Sequence, residues 1–317
     1  LIMDYKHSMQ GSPLEQASDQ VRLLLHDYAP RLKTCKKMAS KLKYQDLQKF
    51  LPELFVRSNL QAFCFGNMNR EQAISKYHLF QSSMVNSEPY RLENHKKRKY
   101  LALPEDMSPL FKSRRVDSDG NAAILLADLG SYTPENKAMQ MLLLDIINTP
   151  LYDRLRTQLG LAYQVFPQSL ALGEHLYSSF NISSNTHRGR DLITLIQMVT
   201  DQFISEMSTE EKGLSKEKFE QHKHGLLQTL NENSSLEKQG SQFSRELHKV
   251  PPDFERKSKI IQAMASLELE AFISFAKEHL GRTMKKRVGI GCDGNVSPEE
   301  NLTFKKVKDF KRLRDEE

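Results

Sequence analysis

Arg156 and Tyr163 stand seven positions apart on either side of Gly160, in the stretch LRTQLGLAYQVF from Leu155 to Phe166. A guanidinium donates through a rigid fork and stays charged, and a phenol adds one O–H donor. Together they could hold a peptide carbonyl or a developing oxyanion. Gly160 permits the reversal that a passage from helix to strand needs. The same residues admit a structural reading: Arg156 complements the negative end of a helix, and Tyr163 packs with its hydroxyl at the surface.

No further reaction machinery accompanies this pair. The ten histidines, His7, His26, His78, His95, His175, His187, His222, His224, His248 and His279, form neither H-E-x-x-H nor H-x-x-E-H. Glu174-His175 and Glu278-His279 match the end of the inverted motif, but Ala171 and Phe275 occupy its first position. His222 and His224 are two residues apart and point to different sides of a helix, as a solvated face would have them. A G-x-S-x-G elbow, a Walker loop and a dinucleotide glycine fingerprint are all missing from the sequence, so no metal or cofactor is predicted in this chain. Cys35, Cys64 and Cys292 are widely spaced and odd in number, which fits a cytoplasmic or other reducing compartment better than a disulfide framework.

The elements that would position Arg156 and Tyr163 follow from periodicity. Thr133-Pro134 opens a strong helix through Met139, Leu142, Leu143 and Ile146, with threonine as N-cap and a shorter helical piece from Leu151. Apolar runs predict strands at Lys97 to Ala102, Ala122 to Leu129, Leu161 to Pro167, Leu176 to Ile182 and Arg287 to Gly291. The third and fourth flank Gly173 closely enough for an antiparallel hairpin. Further helices are predicted over Asp191 to Met207, Lys216 to Leu230 and Pro251 to Leu280. Upstream, helices over Pro13 to Tyr28, Pro30 to Ser40 and Tyr44 to Val56 are expected to surround one apolar face. A buried strand, Asn59 to Phe65, and a helix from Arg70 to Met84 follow.

A chain of 317 residues with 38% apolar composition can bury a large core and suggests two domains. The net charge of +6 is spread out except at Lys96 to Lys99, a run read as a solvated strand entry, and it does not point to nucleic acid. No apolar run approaches the roughly 20 residues of a membrane span, and Leu1 to Gln10 lacks the apolar core of a signal peptide. A membrane partner is not expected. The order of helices, strand and helix before residue 85 has too few strands for a complete α+β unit.

LRTQLGLAYQVF resembles the insulysin and pitrilysin metallopeptidases, the inverzincins, and in particular the last domain of their long single-chain members. The resemblance extends in the same order to His26-Asp27-Tyr28, LQKFLPELFVRSNLQAFCFGNMNREQA from Leu47 to Ala73, the helix before Pro150-Leu151, and SLELEAFISFAKEHL from Ser266 to Leu280. It implies an α+β fold, a predominantly antiparallel sheet packed by helices, repeated with the first domain incomplete. On that basis residues 1–85 are the end of the third family domain, 86–96 a linker, 97–295 the complete fourth domain and 296–317 a charged tail.

The function so implied is the C-terminal portion of a zinc metalloendopeptidase that degrades peptides. Zinc and its glutamate base would lie in an N-terminal half outside this chain, which alone should be inactive. Arg156 and Tyr163 map to the family's arginine and tyrosine, which approach the substrate from the half opposite the zinc and assist there. The implied partners are a peptide substrate and the catalytic half, with self-association left open. One departure concerns the loop: insulysins commonly place Glu and Gln before L-G-Y, whereas here Gln158-Leu159-Gly160-Leu161-Ala162-Tyr163 shifts the glycine. The competing reading is a catalytically inactive peptide-binding or assembly module of the same family, in which both residues are structural.

Overall fold

The apolar run Ala122 to Leu129 is the centre of the molecule, because it is buried on both of its faces. In the computed structural model, which describes residues 11–26, 29–84, 87–89, 103, 110–207, 209, 213–232, 235–247, 252–281 and 286–295, this run is strand β4 (Asn121–Ser131). Among the described residues four further strands join its sheet: β3 (Leu110–Arg115), β5 (Gln164–Leu172), β6 (His175–Ser184) and β7 (Arg287–Asp293), in the order β3-β7-β4-β6-β5. Only β3 and β7 pair in parallel; the other three neighbours are antiparallel. The expected α+β class with a predominantly antiparallel sheet is therefore the fold.

Alternation along β4 divides the core in two. Ala123, Leu125 and Ala127 face a large cluster with α5 (Pro134–Tyr152), α6 (Gly189–Glu206), α7 (Lys216–Asn231), α9 (Arg256–Ala265) and α10 (Leu269–Leu280). Ile124 and Leu126 face the opposite layer, with Ala17, Val21 and Leu25 of α1 (Pro13–Leu25) and Val288, Ile290 and Cys292 of β7. A strand covered on both faces has no polar positions to spare, so its sequence reads as a continuous apolar run. Helix α1 starts at a capping box: Ser12 Oγ accepts from Glu15 N at 3.3 Å, and Glu15 Oε2 accepts from Ser12 N at 2.7 Å.

Residues 32–84 are built differently. Helices α2 (Leu32–Ala39), α3 (Tyr44–Leu54) and α4 (Arg70–Ser83) bury no residue, and β1 (Arg57–Ser58) pairs with β2 (Glu88–Pro89) as a short parallel ladder. The three N-terminal helices therefore do not close around a common apolar face: α1 takes its stripe to the sheet, α2 half-buries Leu32 and Cys35, and α3 leaves its stripe open.

Asn59 to Phe65 is not a strand, and most of it is exposed. Its aromatics pack instead on helix α8 (Leu236–Leu247), with the Phe63 and Phe65 rings 6.4 and 5.6 Å from that of Phe243. A helix supplies the apolar partner here, so the segment needs no sheet neighbour. The helical stretch predicted over Pro251 to Leu280 contains α9 and α10, separated at Ser266, whose N–H closes on Gln262 O and Ala263 O. The predicted strand Lys97 to Ala102, the basic run Lys96 to Lys99 and the tail 296–317 lie outside the described residues.

Candidate functional site

Helix α5 carries the chain to Arg156. Thr133 caps it as the sequence indicates, its Oγ1 accepting from Asn136 N at 3.0 Å, and Pro134 occupies the first turn, where a missing N–H costs nothing. Pro150 removes a rung near the other end. Beyond it, Asp153–Gln158 adopts π-helical geometry, with Leu159 N bonded to Arg154 O at 3.2 Å. Single π turns of this kind widen the helix and turn side chains off the regular helical repeat.

Gly160 then takes φ +61°. Nothing lies within 4 Å of where its Cβ would be, so backbone conformation alone calls for glycine here. Leu161 N reaches back to Leu155 O at 3.1 Å, an i→i−6 bond one residue wider than the Schellman closure that ends an α-helix, as a π ending requires. Leu155, Leu161 and Ala162 all enter the core, and Tyr163 N donates to Ser183 O of β6 at 2.8 Å. The connector between α5 and β5 is thus anchored from below at both ends.

On that anchored connector both predicted residues point outward. Arg156 is exposed, with its guanidinium carbon 5.1 Å from the centre of the Tyr152 ring. Tyr163 is 70% exposed. The ring partner of Arg156 is therefore Tyr152, one turn earlier, and not Tyr163. The i, i+4 spacing of Tyr152 and Arg156 could have revealed that contact in the sequence. Arg156 also sits in the last turn of the helix, so it complements the helix dipole as the structural reading has it. Next to it, Arg154 Nη1 donates to Gln158 Oε1 at 2.6 Å, which orders the outer face of the π turn.

The histidines are distributed otherwise. His222 Nδ1 lies 2.7 Å from Asp145 Oδ2, a hydrogen-bond contact between α7 and α5, while His224 is exposed on α7. Burial lowers the pKa of His187 and of His279 against the smaller opposing effects of Asp191 and Glu278. Among the described residues, no group of three or more His, Cys, Asp or Glu side chains could hold a metal ion. Nor, among them, is any helix long and apolar enough to cross a membrane.

With this geometry in hand, residues 41–226 match the peptidase M16 inactive domain. The chain belongs to that family. The M16 match spans α3 to α7 and so contains the whole connector from Tyr152 to Tyr163. Among curated proteins, the chain is 25% identical over 252 residues to the insulin-degrading enzyme of Drosophila melanogaster, covering 77% of this chain and 25% of that protein. It is 20% identical over 283 residues to the A-factor-processing enzyme of Saccharomyces cerevisiae, covering 88% and 27%. Among solved structures, pitrilysin superposes with a TM-score of 0.76 at 16% identity, over 95% of this chain and 31% of that one. The peptidase M16 inactive domain from Pseudomonas fluorescens does so at 0.65 and 15%, over 94% and 69%. At such identities the structural likeness establishes the fold. The chain spans about a quarter of the length of the curated relatives it matches.

Proposed function

We propose that this M16 chain is the non-zinc portion of a zinc metalloendopeptidase that degrades peptides, forming part of the chamber wall and presenting Arg156 and Tyr163 to the substrate. The observation that carries this reading is their outward placement on one anchored connector within the family match. A guanidinium over Tyr152 and a phenol across the glycine turn are donors suited to a peptide carbonyl whose oxygen gains charge as it is attacked. The described residues do not fit a zinc site. The metal, its bound water and the general base belong, in this proposal, to a complementary catalytic half.

In a protein holding both halves, Arg156→Ala should lower kcat by about 10²–10³, or roughly 2.7–4 kcal/mol, the cost typical of a lost oxyanion donor. Tyr163→Phe should lower it less, and neither change should cost more stability than an ordinary surface substitution does. Unchanged turnover for both variants would return the two residues to structural roles. The isolated chain should hydrolyse no peptide, and zinc-dependent turnover from it would reject the division of labour.

The second reading, an inactive peptide-binding or assembly module, draws on the exposed apolar side chains of α3. The discriminating observation is an H-x-x-E-H motif in the same polypeptide or in a stably associated subunit. Its presence supports the protease, and its absence the module.

A further inference from the structure

Between α5 and the edge of the sheet, four polar side chains form one directed chain of hydrogen bonds. Gln140 is fully buried, and its Nε2 donates to Tyr177 O at 2.7 Å and to Ser178 Oγ at 3.2 Å, both on β6. Those two bonds fix the amide and turn Oε1 the other way as an acceptor. Ser169 Oγ, on β5, donates to that oxygen at 2.6 Å. Its hydrogen is thereby used, and a lone pair is left facing outward. Lys137 Nζ, one turn before Gln140, donates to both oxygens, at 3.1 Å to Gln140 Oε1 and at 2.5 Å to Ser169 Oγ.

Both partners of Lys137 are neutral, where a buried ammonium would be matched by a carboxylate. An uncharged amine has two N–H donors and one lone pair, and the site offers it two acceptors. An ammonium can make the same two bonds but keeps a third N–H with no protein acceptor, so these neutral partners satisfy only the –NH2 form in full. Burial acts in the same direction and brings the lysine down to about 8. Lys137 and Ser169 are only half-buried, and β5 is the edge strand of the sheet among the described residues, so neither residue is sealed inside the core.

We propose that Lys137 is a nucleophilic lysine that accepts acyl groups from thioester donors. The Nζ lone pair attacks the thioester carbonyl carbon. The N–C bond forms, the C–S bond breaks with its electron pair leaving on sulfur, and one Nζ proton passes to the thiolate or to water. The amide product retains a single N–H, which can still donate to Ser169 Oγ, whose hydroxyl still donates to Gln140 Oε1. The hydrogen-bond chain therefore stays closed after acylation. A neutral imine would keep no N–H and would break it, so acyl donors fit this site better than aldehydes.

The test is to incubate the 317-residue chain with acetyl-coenzyme A at pH 8 without any acetyltransferase, and to measure acetylation at each lysine by mass spectrometry. Lys137 should react about tenfold faster than the median lysine, because the gain in neutral fraction is partly offset by the weaker nucleophilicity of a less basic amine. That advantage should vanish in concentrated urea. A native rate at or below the median would overturn the proposal. Ser169→Asp, at a half-exposed position, sets a carboxylate against the amine and should return its rate to the median. An unchanged rate in that variant would overturn the role given to the neutral partners.

Discussion

Helices α3 and α5 both carry apolar stripes at helical spacing, yet α5 buries eight residues, including Leu142, Leu143 and Ile147, whereas α3 buries none. On α3, Leu47, Phe50, Leu51 and Leu54 are 51%, 53%, 49% and 47% exposed. The stripe on α5 meets β5, β6 and four helices of the same chain. An apolar stripe thus specifies that a face is to be covered, and tertiary context decides what covers it. The two helices fall on either side of a physical distinction: α5 contributes to stability within this chain, and α3 presents a surface.

The largest expected effect lies on the α5 side. Phe180 of β6 is fully buried in the cluster beneath α5, and Phe180→Ala should cost about 3–5 kcal/mol, measured as a fall in the urea unfolding midpoint at constant m-value. A loss below about 1 kcal/mol would mean that the sheet core is not the cooperative unit of the chain. Next in size is the cap. Thr133→Ala removes the bond to Asn136 N at 3.0 Å and should cost about 1 kcal/mol by the same measurement, with Thr133→Ser retaining most of it. Equal losses in both variants would assign the effect to packing.

What could be read from the sequence follows the same division. Four of the six predicted strands, the α5 cap and the β5–β6 hairpin around Gly173 were legible because each is set by local chemistry or by a long apolar run, and a fifth, Lys97 to Ala102, lies outside the described residues. Strand β3, with the sequence LFKSRR, has no alternation that marks it and is fixed by pairing with β7, whose residues are more than a hundred positions away. Asn59 to Phe65 carried a strand-like run but found the aromatic face of α8 first. At the candidate site, residue type and spacing single out Arg156, Gly160 and Tyr163, and the role proposed for the arginine and tyrosine rests on the family resemblance. The π turn that sets Arg156 over Tyr152 could not, because a helix that widens after Pro150 keeps the composition of one that does not.

Smaller effects come from protons. His279 packs 4.4 Å from the Phe275 ring on α10 and His187 precedes α6; burial holds both pKa values below the ordinary histidine value. The unfolded chain therefore binds protons that the folded chain refuses once the pH drops below about 6.5, so stability is intact above that value and falls beneath it. Urea midpoints at pH 7.5 and 5.5 should show this loss, and His279→Gln should reduce it. A loss of the same size in the variant would place the acid sensitivity elsewhere.

The smallest effect on folding belongs to α3, and it decides the comparison most directly. Phe50→Ser with Leu54→Ser removes apolar surface that is about half exposed, so the isolated chain should lose no more than about 0.5 kcal/mol for each change, because water already reaches both side chains. The same pair should lower binding of a hydrophobic dye and weaken association at high protein concentration in sedimentation velocity, since the stripe is then no longer continuous. A core-sized loss of stability would mean that the α3 face is covered within the chain in solution. Unchanged stability with unchanged dye binding and association would show that the exposed stripe is not the chain's sticky surface, and α3 would then differ from α5 only in burial and not in role.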